Sequence, residues 1–161
     1  MINLEIRELK TNDIQQIVEL KQEFNKDQND RNTFGTHIGN FQLDYYYSQY
    51  KKYFITNNKK IFVAVVDDKV VGMIKAIIRK DDPSFEFGEH AHICDLFVLK
   101  EYRDYRICIE LYLRCKKWIK DQGCKYITAY TFGFNELIKK SMHILGMKEY
   151  KIMYVRDISD D

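Results

Sequence analysis

The sequence predicts an α/β domain, a mixed and mostly antiparallel central sheet flanked by helices on both faces. Three observations carry that expectation. Segments with strand and helix periodicity follow one another along the whole chain. One proline and seven glycines in 161 residues leave no linker or low-complexity tract to divide it. Residues 90–99 (HAHICDLFVL) are apolar toward both faces, the pattern of a central strand covered on both sides. A single domain over residues 1–161 is expected, because a chain of this length can bury one substantial core.

The elements follow in order. Residues 2–9 (INLEIREL) alternate as a half-buried strand, and Thr11, Asn12 and Asp13 then offer N-cap chemistry. The helix they open carries Ile14, Ile17, Val18, Leu20 and Phe24 at helical spacing, and residues 25–40 lose that period and read as a loop. A second helix is predicted over Leu43–Thr56, with Tyr46, Tyr50, Tyr53 and Phe54 on one face. KIFVAVV and KVVGMIKAIIRK flank Asp67-Asp68, which predicts a β-hairpin. Residues 81–89 form a loop before the central strand, and a helix over Ile107–Gln122 ends at Gly123, a residue suited to the left-handed position after a helix. KYITAYTF is a further strand, Asn135 caps a short helix reaching about Leu145, and residues 147–157 (MKEYKIMYVRD) close the chain as a strand.

Composition excludes several classes. The net charge is +2, without the concentrated basic balance of a protein that coats nucleic acid. No run approaches the roughly 18 apolar residues of a membrane span, and the N-terminal stretch is too charged for a secretory signal, so a cytoplasmic protein is expected. Cys94, Cys108, Cys115 and Cys124 make no closely spaced ligand pair and read as free thiols. His90 and His92 lie two apart on the same strand as Cys94, but side chains without a spaced ligand set are more often packed than metal-bound, and no metal is expected.

The segment Asp95–Ile127, DLFVLKEYRDYRICIELYLRCKKWIKDQGCKYI, carries a resemblance. Val98, Tyr102 and Arg103 match a strand that ends in V-x-x-x-Y-R and leads through a Q/R-x-x-G-x-G/A loop into a long helix. This resembles the core of the GNAT superfamily of acyl-CoA N-acyltransferases, and the element order agrees along nearly the whole chain. The resemblance implies acetyl-CoA as co-substrate, with its pyrophosphate at the helix N-terminus, where backbone amides lack intrahelical partners. It assigns cofactor contacts to Arg103, Asp104, Tyr105, Arg106, Ile107 and Cys108, and pantetheine contacts to the backbone of Leu96, Phe97 and Val98. Two departures are plain: Arg106 and Cys108 stand at the glycine positions. A guanidinium pairs well with phosphate, whereas Asp104 places an anion near the same site.

Residues 135–147 (NELIKKSMHILGM) resemble the family's N-x-x-A-x-x-x-Y-x-x-x-G-F segment, which adds Asn135 to the cofactor set. Met142 replaces the tyrosine that protonates the leaving thiolate in such enzymes, and methionine has no proton to give. Tyr150 is the candidate general acid, with Tyr130 and His143 behind it. Deprotonating an acceptor amine needs a base, and Asp95, the one acid in HICDLFV, is the candidate, with Glu89 and His92 in reserve. Asp95 reads equally as a hydrogen-bond partner of neighbouring backbone.

The implied activity is transfer of an acetyl group to a primary amine of a small molecule or peptide. The alternative is a binding or regulatory module on the same fold that has lost turnover. A homodimer paired through Tyr150 and Tyr154 is a further expectation.

Overall fold

The structure, a computed structural model, describes residues 3–30, 43–81, 84, 87–103 and 105–159. They form two compact units, one running to Tyr130 and one from Thr131 onward.

The first unit contains β1 (Leu4–Glu8), α1 (Ile14–Asn29), α2 (Leu43–Tyr53), β2 (Lys59–Val66), β3 (Lys69–Lys80), β4 (Glu89–Val98), α3 (Tyr105–Asp121) and β5 (Ile127–Ala129). Its sheet has the order β1-β2-β3-β4-β5. The first four strands are antiparallel to their neighbours, and β5 runs parallel to β4. The mixed, mostly antiparallel sheet expected from the sequence is therefore the one observed. The β2–β3 hairpin turns at Asp67 and Asp68, whose φ of 46° and 66° are the left-handed values of a two-residue type I′ turn.

Side-chain alternation divides the core. One face of the sheet contributes Ile61, Val63, Val65, Met73 and Phe97, packed with Ile14, Ile17, Val18 and Leu20 of α1 and Tyr50 and Tyr53 of α2. α3 buries Ile107, Leu111, Cys115 and Ile119 against the other. Gly72 sets how closely α3 approaches: a Cβ there would lie 3.0 Å from Val98 Cγ2, 3.1 Å from the Phe97 carbonyl oxygen and 3.4 Å from Leu111 Cδ1. The missing side chain thus seats α3 against the end of β4.

Asp13 holds the entry to α1 differently from a simple cap. Its carboxylate accepts from Arg7 Nη1 at 2.7 Å, Arg7 Nη2 at 2.9 Å and the Lys10 amide at 2.7 Å. Burial alone would raise its pKa, but the bonds from Arg7 and Lys10 outweigh that and hold it below the ordinary carboxylate value.

Several boundaries differ from the sequence expectation. α1 continues to Asn29 through the polar stretch read as loop, because Asn25 donates to the Tyr46 hydroxyl at 3.3 Å and Asp27 meets Arg103. The rest of that loop, residues 31–40, lies outside the described residues. α2 stops at Tyr53, where the Thr56 hydroxyl and the Ile55 amide turn back onto the Lys52 carbonyl. α3 begins at Tyr105, two residues early, and β5 is only three residues long.

In the second unit α4 (Glu136–Ile144) is capped as expected, the Asn135 side chain accepting from the Ile138 amide at 3.3 Å. The closing strand expected over residues 147–157 is not formed. A strand needs a neighbour's ladder, and no ladder among the described residues includes this segment, which leaves Met153 and Tyr154 88% and 89% exposed.

Candidate functional site

The site is built where β4 loses its neighbours. β3 pairs with β4 through Lys75↔Asp95 and Ala76↔Ile93, so Cys94 is an extra residue that bulges from the ladder. On the other side, β5 pairs with β4 only from Ala91 to Ile93. Beyond Ile93 the outer edge of β4 therefore has no strand partner among the described residues, and the backbone of Cys94–Val98 is open along it. An unpaired strand edge offers donors and acceptors to an extended ligand, as strand addition does.

At the far end of that edge the chain makes a short 3₁₀ turn over Lys100–Tyr102 and enters α3. Arg103 folds back onto β4: its Nε donates to the Val98 carbonyl at 2.8 Å, its Nη2 lies 3.4 Å from Asp27 of α1, and its guanidinium sits 5.1 Å above the Phe97 ring. The turn that delivers α3 is thus tied to both β4 and α1. Arg106 is exposed, Cys108 half-buried and Ile107 buried in the core. The stem of Arg106 consequently lies outside the helix–sheet packing. Asp104 and the side chain of Tyr105 fall outside the described residues. Leu96 is half-buried, while Phe97 and Val98 are core.

The bulge turns Asp95 toward α1. Lys21 Nζ lies 2.6 Å from Asp95 Oδ1, with side-chain exposures of only 13% and 12%. Lys21 also rests 4.4 Å above the Phe24 ring, and Phe24 meets Phe97 edge-on at 5.1 Å. Oδ2 of Asp95 makes no other hydrogen bond among the described residues, and it is not one of their sealed, unpartnered atoms. Burial, then the charge of Asp95, pushes the nearby Tyr50 phenol far above its usual value, so it stays protonated.

A second polar group lies farther along the same face of β4. His92 Nδ1 is 2.8 Å from Thr128 Oγ1, and its ring lies 4.5 Å from that of Tyr130. Arg79 donates to the Tyr130 hydroxyl at 3.0 Å and to His90 Nε2 at 3.3 Å. Burial first, then Arg79 and His90, lowers the His92 pKa to about 4, so the ring is neutral at pH 7. Among the described residues, no group of three or more His, Cys, Asp or Glu side chains is placed to hold a metal ion. His90 Nδ1 lies 3.1 Å from the Gly88 carbonyl oxygen, and the Cys94 thiol donates to the His92 carbonyl.

A sequence family model described as the acetyltransferase (GNAT) family matches residues 17–138. The chain belongs to the GNAT acetyltransferases. As a member it is an acyl-CoA-dependent acetyltransferase, and the open edge of β4 and the start of α3 both lie within the matched GNAT region or at its core. Solved structures agree in fold. The aminoglycoside N-acetyltransferase AAC(6')-Iy in complex with CoA superposes with a TM-score of 0.80 at 17% identity, covering 98% of this chain and 97% of that one. The aminoglycoside 6'-N-acetyltransferase AAC(6')-Ih from Acinetobacter baumannii gives 0.74 at 16% identity, covering 96% and 98%. A tetramutant of the BH1408 protein from Bacillus halodurans gives 0.81 at 18% identity, covering 96% and 99%. No curated protein matches the sequence.

Within this GNAT frame the structure brings together Asp95, Leu96, Phe97, Val98 and Arg103. Glu89, the other reserve base, opens β4 and points its carboxylate 3.7 Å from Lys80. Asn135 is buried at the start of α4, and Tyr150 is 65% exposed, both in the second unit. Sequence reasoning missed Lys21, Lys75 and Arg79. The signal for Lys21 was present: it stands four residues after Ile17 and three before Phe24, a charge on the apolar stripe of α1. No helix among the described residues is long and apolar enough to cross a membrane.

Proposed function

We propose that this chain transfers the acetyl group of acetyl-CoA to a primary amine of a small molecule or peptide. The observation that carries the reading is the open outer edge of β4 from Cys94 to Val98, with a carboxylate at its head and the start of α3 at its foot. The pantetheine arm lies along the backbone of Leu96, Phe97 and Val98. The pyrophosphate sits at Asp104, Tyr105, Arg106, Ile107 and Cys108, where helix amides and the exposed Arg106 favour anions. Arg103 braces that turn through Val98 and Asp27.

In the reaction, the acceptor ammonium gives a proton to Asp95 Oδ2 and its nitrogen attacks the thioester carbonyl carbon. The C–N bond forms, a backbone N–H freed at the Cys94 bulge steadies the oxyanion, and the C–S bond breaks to release CoA thiolate as the nitrogen gives its second proton to solvent, leaving the amide. Solvent then protonates the thiolate. Aminoglycosides, named for two of the structural neighbours, are primary amines and belong in the acceptor panel.

A second reading, a regulatory GNAT module without turnover, draws on Lys21 occupying one oxygen of Asp95 and on Met142 in place of the family's tyrosine. Thermal shift and thiol release separate the two. Acetyl-CoA at a hundred times its Kd raises stability by about 2.7 kcal/mol. Free thiol appearing only when an amine is added supports the enzyme. Binding without thiol release across the panel leaves the module, and no thermal shift at millimolar acetyl-CoA removes both.

A further inference from the structure

Charge on the acceptor-facing side of β3 and β4 is unevenly satisfied. Three carboxylates among the described residues there already have a cation of the chain: Asp95 has Lys21 at 2.6 Å, Asp27 has Arg103 at 3.4 Å, and Asp81 has Arg79 Nε at 3.5 Å with His90 Nε2 at 3.6 Å. Lys75 stands opposite Asp95 on β3, half-buried, and enters no ion pair among the described residues. A polycation would find Asp95, Asp27 and Asp81 already neutralised. An anion would find Lys75 and the remaining N–H groups of Arg79.

The second polar group supplies directed donors as well as charge. Arg79 Nη2 and the Tyr130 hydroxyl are held 3.0 Å apart, and the His92 ring packs under Tyr130 with its Nδ1 fixed by Thr128. Its Nε2 has no hydrogen bond among the described residues and is not one of their sealed atoms. Tyr130 follows β5 directly, at the point where β5 parts from β4, and is 73% exposed. Arg79, His92 and Tyr130 therefore lie together where β5 parts from β4, on the sheet face that also carries Asp95. On β3, the positions opposite Asp95 and His92 are Lys75 and Ile77, two residues apart, which is about 7 Å along a strand.

We propose that the acceptor is a small molecule bearing an anionic group several bonds from its amine, the anion held by Arg79, His92 and Tyr130 and drawn in by Lys75 while the amine meets Asp95. This rests on the acetyltransferase reading above and adds the substrate class. Lys21 and Lys75 on either side of Asp95 also disfavour a second positive charge on the acceptor. Because His92 is neutral at pH 7, it contributes a hydrogen bond and no charge.

Three amines of equal length test it: 6-aminohexanoate, hexylamine and 1,6-diaminohexane, which differ only in the group at the far end. With wild-type protein and saturating acetyl-CoA, kcat/KM from thiol release is expected to fall in that order, with at least about tenfold between the carboxylate and the diamine, the equivalent of one charge-assisted contact. The ratio should shrink in high salt. Arg79→Gln and, independently, Lys75→Gln should each pull the ratio toward unity; Lys75 is the safer variant because it enters no ion pair among the described residues. A diamine acetylated as fast as the aminohexanoate overturns the proposal while leaving the acetyltransferase reading intact. So does acetyl-CoA binding with hydrolysis or turnover on aminoglycosides but none on the aminohexanoate. Absence of any acetyl-CoA thermal shift takes down both.

Discussion

Removing one partner of the Lys21–Asp95 ion pair is predicted to cost about 3 kcal/mol of folding stability. The pair closes at 2.6 Å, and its side chains are 13% and 12% exposed. Two unit charges that close attract by about 6 kcal/mol at an effective dielectric of about 20, and dehydration of both groups offsets most of it. Lys21→Met deletes the attraction and leaves the Asp95 carboxylate dehydrated near the Tyr50 phenol. Removing both charges in Lys21→Met/Asp95→Leu is expected to return stability to within about 1 kcal/mol of wild type. Urea unfolding of the four proteins reads the cycle, with unchanged slopes licensing the comparison. Heating offers a check, since a loss of that size lowers Tm by about 6–12 °C in a chain of this length. Single substitutions that each cost under about 1 kcal/mol, with no coupling between them, would show an ordinary solvated pair and refute the reasoning.

Gly72→Ala places a Cβ 3.1 Å from the Phe97 carbonyl oxygen, which is backbone and cannot rotate away. A net loss of about 1–2 kcal/mol is expected from overpacking, and equal or greater stability in urea would contradict the close approach of α3. Two buried groups make stability rise with pH in separate windows. The Asp13 pKa is depressed below 3.8, so its contribution is complete above that value and disappears as pH falls through the lower folded value; Asp13→Asn should flatten the acid limb. His92 titrates near 4 in the fold against 6.5 when unfolded, so the unfolded chain binds the extra proton between those values and stability falls as pH drops from 6.5 to 4; His92→Gln should reduce that slope, and an unaltered profile would place His92 in solvent. Arg106→Gly should weaken acetyl-CoA binding by roughly threefold to tenfold through loss of a phosphate contact, and unchanged or tighter binding in a thermal-shift titration would show that the exposed guanidinium faces elsewhere.

Local chemistry determined most of the elements without help from the tertiary structure. The hairpin at Asp67-Asp68, the start of α1 after Asp13, the cap of α4 by Asn135 and the left-handed end of α3 at Gly123, with φ of 79°, depend on neighbours within a few residues, and sequence records those. The GNAT motif from Asp95 to Arg103 was legible for the same reason. What the tertiary structure decided were matters between distant segments. The sequence of residues 147–157 suits a strand, yet strand formation depends on a partner's ladder and not on side-chain pattern alone. α1 outlasts its apolar period because Asn25 and Asp27 find partners on α2 and beyond β4. Asp95 was readable as a candidate base, but its engagement with Lys21, 74 residues away, was not. Nor was the bulge at Cys94, which exists only in the register between β3 and β4 and turns that carboxylate toward α1. Electrostatic pairing acts through space, so the uneven charge on that face of the sheet emerged only after β3 and β4 had set Lys75 opposite Asp95 and Arg79 opposite His90.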